Sequence, residues 1–217
     1  MALHPEGILT SGPLFQLVSE TAYGPDPVEW QVLRLMRVLR TEHWEAHWRH
    51  PMQPLASQLD YMAATFTSDF FASCPTTAQE VWTAAAEKKS VPDFMTELAM
   101  LLRVADRQHV PDYDEVPLAK WETRARFPLL INLDMWAYDE DYESFEASVQ
   151  GRIDAEHPFC DWELVPAVAQ ALEALALCAR SAGFAAALRS HASGATPDSL
   201  AAYAELGHTH MRTHHRP

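Results

Sequence analysis

Apolar residues recur at helical spacing along most of the chain, and this periodicity constrains the fold more than any other feature. A clear example is the stretch with apolar residues at Val28, Val32, Leu35, Met36 and Leu39. Intervals of three and four residues place such side chains on one face of an α-helix. The sequence has only 7 glycines, and most of its 15 prolines lie at segment edges, where the first turn of a helix accepts them.

Periodicity and capping residues predict about nine helices with short connections. Helix starts are indicated by Asp26-Pro27, by Ser90-Val91-Pro92-Asp93 and by Thr196-Pro197-Asp198. The predicted ranges are 26–49, 55–70, a helix from 76 or 77, 90–104, 118–126, 139–154, 161–181, 183–192 and 197–206.

The segment Phe127–Leu133 is apolar enough for a buried strand, but no second convincing strand exists to pair with it. A lone strand leaves its backbone hydrogen bonds unsatisfied, which favours a helix or an extended loop. The sequence therefore predicts an all-α, single-domain multi-helix bundle over residues 1–207, with mostly antiparallel neighbours. Residues 208–217 are predicted to form a flexible, histidine-rich tail.

The chain is strongly acidic, with 30 Asp and Glu against 16 Lys and Arg and a formal net charge of −14. This balance argues against nonspecific nucleic-acid binding and against anionic membrane surfaces. We expect a cytoplasmic protein, since no basic and apolar leader and no apolar run of membrane-spanning length stand out. Three cysteines without paired spacing fit reduced thiols.

Three histidines stand on one face of the first long predicted helix. His43, His47 and His50 are spaced i, i+4 and i+7, and two imidazoles one turn apart can share one divalent transition-metal ion. Asp60 and the carboxylates of residues 139–146 are candidates for the remaining ligands. The alternative is that these histidines simply favour the negative end of the helix dipole.

Two other groups of histidine and cysteine are less informative as sequence. His157 and Cys160 lie in a His-Pro-Phe-Cys run that chance explains as easily as design. The C-terminal histidines are expected to bind metal adventitiously, although the first two could dock on the folded part. These four are His208, His210, His214 and His215.

An acidic, aromatic-rich segment covers residues 134–163. It holds ten carboxylates opposed only by Arg152, which accounts for −9 of the net charge of −14. Interleaved carboxylates and aromatics suit a docking surface for a basic protein. The predicted partner-binding residues are Trp136, Tyr138, Asp139, Glu140, Asp141, Tyr142, Glu143 and Glu146. The alternatives are a solvated helix face with an acidic first turn, or a divalent-cation site at Glu143 and Glu146.

No nucleotide-binding loop, zinc-protease motif or nucleophile elbow occurs in the sequence. The sequence hypothesis is therefore an acidic helical interaction module that engages a basic partner. An inhibitor, an immunity-like or antitoxin-like protein, or an assembly subunit would fit this description. The alternative is a metal-dependent enzyme with a His/carboxylate site inside the bundle. A homo-oligomer is a third possibility.

Overall fold

A computed structural model of the protein describes residues 9–40, 52–131, 133 and 142–215. This part of the chain contains eleven helices and no strand, which confirms the all-α multi-helix bundle with two more helices than expected. The helices are α1 (Gly12–Tyr23), α2 (Val28–Arg40), α3 (Met52–Ala64), α4 (Ser68–Ser73), α5 (Thr76–Ala86), α6 (Val91–Ala105), α7 (Lys120–Arg126), α8 (Phe145–Glu156), α9 (Cys160–Arg180), α10 (Ala182–His191) and α11 (Pro197–His214).

Contacts divide the chain into two compact units, Met1–Pro111 and Asp112–Pro217. The prediction of one domain over residues 1–207 stays a prediction, because compactness does not decide whether the two units unfold together.

In the first unit, α1 packs on α2 and α5, and α6 contacts α2, α3 and α5. The indole of Trp82 lies fully buried in this core and meets Phe94 edge-on, with ring centroids 6.2 Å apart. Its Nε1–H donates to the Leu9 carbonyl at 2.9 Å, which satisfies the one polar group that the ring carries.

In the second unit, α9 contacts α8, α10 and α11, and α11 also contacts α8. Phe184 on α10 lies in the core against Tyr113 and Phe127, at centroid distances of 4.7 and 5.8 Å. Residues 128–131 form a turn rather than a strand. The buried side chain of Gln170 accepts a hydrogen bond from the Leu129 N–H at 3.1 Å, so α9 supplies a partner that a neighbouring strand would otherwise provide.

The inner face of α9 agrees with the sequence at three of four positions. Helical spacing places Leu164, Val168, Leu172 and Leu175 on one face of this helix. Leu164 is buried and Val168 and Leu175 pack partly buried against the core, but 55% of Leu172 is exposed. Three alanines, Ala167, Ala171 and Ala174, complete the buried face, and such small inward residues let neighbouring helices approach closely.

Gly207 on α11 lies in close contact with α9. A Cβ atom at this buried position would lie 2.5 Å from Cγ2 of Val168 and 3.0 Å from Cδ1 of Leu164. Only glycine therefore fits without movement of the α9 side chains.

The capping residues at the start of α11 were predicted correctly, but its end was not. Thr196 accepts a hydrogen bond from the Ser199 N–H at 3.2 Å, and Ser199 accepts one from the Thr196 N–H at 2.9 Å. The helix then continues through His214. Residues 208–214, which the sequence predicts as a tail, are thus the last two turns of α11.

One stretch of α9, Trp162–Arg180, is long and apolar enough to cross a membrane by length and composition alone, with a mean hydropathy of 1.3. Core helices meet the same criterion. The inner face of this stretch is buried in the second unit.

We expect Gly207→Ala to destabilise the second unit. Overpacking a well-filled contact costs about 1–3 kcal/mol, which exceeds the roughly 1 kcal/mol that alanine gains over glycine in a helix. Urea unfolding measures the change in unfolding free energy. The double variant Gly207→Ala, Val168→Ala has room for the added methyl group. Its loss of unfolding free energy should therefore be smaller than the sum of the losses in the two single variants. Strict additivity of the two losses would contradict the steric explanation.

Candidate metal centre

Four side chains of the second unit converge on one point. They are His157, Cys160, His210 and His215, and one donor atom from each lies within 4.8 Å of every other. Cys160 Sγ lies 3.4 Å from His210 Nε2 and 4.0 Å from His157 Nδ1. His157 Nδ1 lies 3.2 Å from His215 Nε2.

The junction of α8 and α9 supplies two of these donors. His157 follows the last residue of α8, and its N–H still bonds the Ile153 carbonyl at 3.1 Å. Cys160 is the first residue of α9. The two-residue link between them is too short for the donors to separate, so the junction presents both to the same place.

The C-terminal end of α11 supplies the other two. His210 lies on the buried face of α11, and His215 directly follows the helix, with its N–H bonded to the Met211 carbonyl at 3.1 Å. The contacts of α11 with α8 and α9 carry this end of the helix to the junction.

An ion pair network holds the junction from outside. Arg152 on α8 binds Glu156 one turn later, with Nε 2.7 Å from the carboxylate, and it also reaches Glu163 on α9 at 3.0 Å. One guanidinium thus links the helices on either side of the His157–Cys160 turn, and restrains the angle between them.

The four donor residues differ in burial, from the core to the surface. Cys160 and His210 are buried, His215 is half-buried and His157 is exposed. Buried donors are held rigidly by packing, whereas the exposed imidazole leaves a route by which an ion could enter from solvent.

Two of the donor separations fit a tetrahedral ion, and the other pairs, which lie within 4.8 Å, would move closer around an ion. Zinc lies about 2.3 Å from sulfur and about 2.0–2.1 Å from nitrogen, so neighbouring ligand atoms of a tetrahedron are about 3.3–3.6 Å apart. The separations of 3.2 and 3.4 Å match this range within about 0.2 Å, and the 4.0 Å pair requires a small rotation of one side chain.

The local field keeps His210 in the state that binds metal. Burial lowers the pKa of the His210 imidazole, and the rings of His214, His157 and His215 lower this pKa further, while the Asp154 carboxylate acts against them. A metal binds only the neutral imidazole, so the proton does not have to be displaced at neutral pH.

His214 extends the group without joining the four donors. Its ring centroid lies 4.7 Å from that of His210 and 5.7 Å from that of His157. It is exposed, like His208 on the preceding turn. These two histidines are therefore useful for comparison with the converging set.

The same side chains do not form an accessible nucleophilic site. Cys160 and His210 are close enough for a thiol and its base, at 3.4 Å. However, Cys160 is completely buried, so a substrate carbonyl could not reach its sulfur. A metal ion would bind this sulfur as the thiolate, with loss of its proton.

The residues predicted from sequence are placed elsewhere. His43, His47 and His50 lie outside the described residues, as do Trp136, Tyr138, Asp139, Glu140 and Asp141. Asp60, a predicted additional ligand, instead pairs with Arg103 within the first unit. Tyr142, Glu143 and Glu146 are exposed and take no part in the four-residue cluster.

The sequence did contain a signal for the cluster. His157 and Cys160 have two residues between them, and His210 and His215 have four, which are ligand spacings common in Cys/His zinc sites. The first pair was explained as chance and the second as part of a flexible tail. Only the continuation of α11 to His214 brings the pairs together.

Comparison with protein-family models, with curated proteins and with solved structures found no match.

In the metal-free protein we expect stability to fall as the pH drops below 6.5, the ordinary pKa of histidine. Because folding lowers the pKa of His210, the unfolded chain binds more protons than the folded chain in this range, and protonation favours unfolding. Urea unfolding of chelator-treated protein at a series of pH values measures this slope. His210→Gln should flatten it, and His109→Gln, at an exposed site in the first unit, should not. An unchanged slope in His210→Gln would contradict the assignment.

Proposed function

We propose that this protein binds a divalent transition-metal ion, with zinc preferred, through His157, Cys160, His210 and His215. The observation that carries the proposal is the convergence of four donor atoms, all within 4.8 Å of one another, from two segments about fifty residues apart.

The donor set supports zinc. One thiolate and three imidazoles are the ligand types of structural zinc sites, and a tetrahedral ion takes four of them. Copper binds such donors more tightly in solution, so the preference for zinc depends on geometry and on which metal is available. The proposal goes with the expected cytoplasmic location, because a reducing compartment would keep Cys160 from being oxidised. Cys74, Cys160 and Cys178 form no disulfide.

Four protein ligands leave no coordination position for water or substrate. We therefore propose a structural ion and not a hydrolytic centre, which keeps one position open. When bound, the ion would tie the last turns of α11 to the α8–α9 junction. This differs from the His/carboxylate enzyme site that the sequence suggests, since all four donors here are imidazole or thiol.

We expect one zinc ion per chain, bound far more weakly when a buried donor is removed. Cys160→Ser and His210→Ala should each weaken binding by at least about 100-fold, because each removes one of four ligands. His208→Ala, on an exposed turn of the same helix, is the matched control and should bind normally. Competition with a chromogenic chelator measures the affinity. Chelation should lower the melting temperature of the wild type and of His208→Ala, but not that of Cys160→Ser or His210→Ala.

Cobalt substitution shows whether the metal binds at this site or at His43 and His47, which the sequence predicts as ligands. Tetrahedral Co²⁺ bound to a thiolate has a sulfur-to-metal charge-transfer band, which Cys160→Ser should abolish. A metal that disappears in the His43→Ala, His47→Ala double variant, and is retained in Cys160→Ser, would move the ion to the other predicted site and overturn the proposal.

A second candidate function is the acidic docking surface for a basic protein. It is favoured by the exposure of Tyr142, Glu143 and Glu146, and by the lack of any ion pair to these two glutamates within the described residues. A basic partner could neutralise these two carboxylates, which form no ion pair with the part of the chain that the structure describes.

We expect the immobilised wild-type chain to capture a basic partner, and the Glu143→Lys, Glu146→Lys double variant to lose this capture. The reversal changes the local charge by four units and replaces attraction by repulsion. Glu80→Lys with Glu87→Lys makes the same change at two exposed positions in the first unit, and should leave capture unchanged. Equal capture by all three proteins, read by quantitative mass spectrometry, would eliminate this candidate.

A further inference from the structure

Helix α9 carries a second apolar face that points away from the core. Its members are exposed, including 74% of Trp162, 43% of Val165 and 55% of Leu172. We call this face the outer stripe: Trp162, Val165, Ala169, Leu172, Ala176 and Ala179. We propose that the outer stripe is the interface of a homodimer in which the α9 helices of two copies pack antiparallel. This inference does not depend on the metal site.

The spacing of the outer stripe is that of a helix–helix seam. Successive members are separated by three, four, three, four and three residues. Alternating intervals of three and four residues are the a and d positions of a coiled coil, and a solvated helix face would carry charged residues there. No member of the stripe is charged, although it is exposed along five turns.

Side-chain sizes in the stripe favour a second copy in the antiparallel orientation. With a two-fold axis between residues 170 and 171, Trp162 meets the partner's Ala179, and Val165 meets the partner's Ala176. Leu172 then meets the partner's Ala169. Every large side chain thus faces a small one, as close packing requires. A parallel pair would oppose Trp162 to its own copy and would leave a gap between the two Ala169 residues.

Charge favours the same orientation. The start of α9 lies in an acidic region, where Arg152 pairs with Glu156 and Glu163 and the exposed Asp154 adds a third carboxylate. The end of α9 carries exposed Arg180. An antiparallel pair places Arg180 beside the partner's acidic end at both ends of the stripe, whereas a parallel pair places like charges together.

A second basic group strengthens the positive end. Arg189 on α10 is exposed and lies close enough to Cys178 to oppose the rise in thiol pKa that burial causes. The face is therefore acidic at one end, apolar along its length and basic at the other. Such a surface is complementary to itself under a two-fold rotation, which is the condition for an isologous interface.

The experiment is sedimentation equilibrium of the full, metal-loaded chain from about 1 µM to about 1 mM. We expect a monomer–dimer equilibrium in the wild type. Leu172→Lys, at the centre of the stripe, should raise the dimer dissociation constant at least tenfold. Met100→Lys places the same charge at an exposed apolar position of the first unit, and should leave the constant unchanged. If Leu172→Lys does not fold, Trp162→Glu tests the same face nearer its end.

Disulfide crosslinking tests the orientation, in a Cys178→Ala background. An equal mixture of the Trp162→Cys and Ala179→Cys proteins should form crosslinked heterodimers, and neither protein should crosslink alone. Crosslinking of each protein with itself would show a parallel pair and overturn the arrangement.

In the sedimentation experiment, a monomer at every concentration would overturn the dimer. Binding of the wild type, but not of Leu172→Lys, to neutral phosphatidylcholine vesicles would assign the stripe to a bilayer instead.

Discussion

The second unit depends on the close approach of α9 and α11 at Gly207. With no side chain at this position, Val168 and Leu164 reach the backbone of α11. One turn further along α11 is His210, and one turn back along α9 is Cys160, whose sulfur lies 3.4 Å from the His210 imidazole. Contacts that advance on one helix and recede on the other show that the two helices run in opposite directions. The glycine contact therefore sets the spacing at which the donor atoms meet.

Four imidazoles lie close together at the end of α11. The ring centroids of His157, His210, His214 and His215 lie 4.7–5.7 Å apart where they face one another. Burial adds a desolvation cost to the charged form of His210, and the neighbouring rings lower its pKa further. Folding therefore favours neutral His210, and a bound cation would use the lone pair that this ring presents.

Local features of the fold could be predicted from the sequence, and features that depend on distant contacts could not. The caps at Ser90 and Thr196 and the starts of α6 and α11 follow from residues within one turn. Helix α1 was missed, and residues 55–70 were predicted as one helix although Thr67 begins a new one at Ser68. The metal centre was missed for a different reason. Its two halves are about fifty residues apart, and His210 becomes a ligand only because α11 packs against α8 and α9.

Helix α9 carries apolar side chains on two faces. Leu164 and the small residues Ala167, Ala171 and Ala174 are buried in the core, whereas Trp162 and Leu172 are exposed on the outer stripe. The same helix can therefore pack on α11 with one face and on a second copy with the other. In the proposed antiparallel dimer the two copies of Cys160 fall at opposite ends of a 21-residue helix, about 30 Å apart. This separation is nearly four Debye lengths, since the Debye length is about 8 Å at physiological salt. Charge at one metal centre would be screened from the other, and the two centres would bind their ions independently.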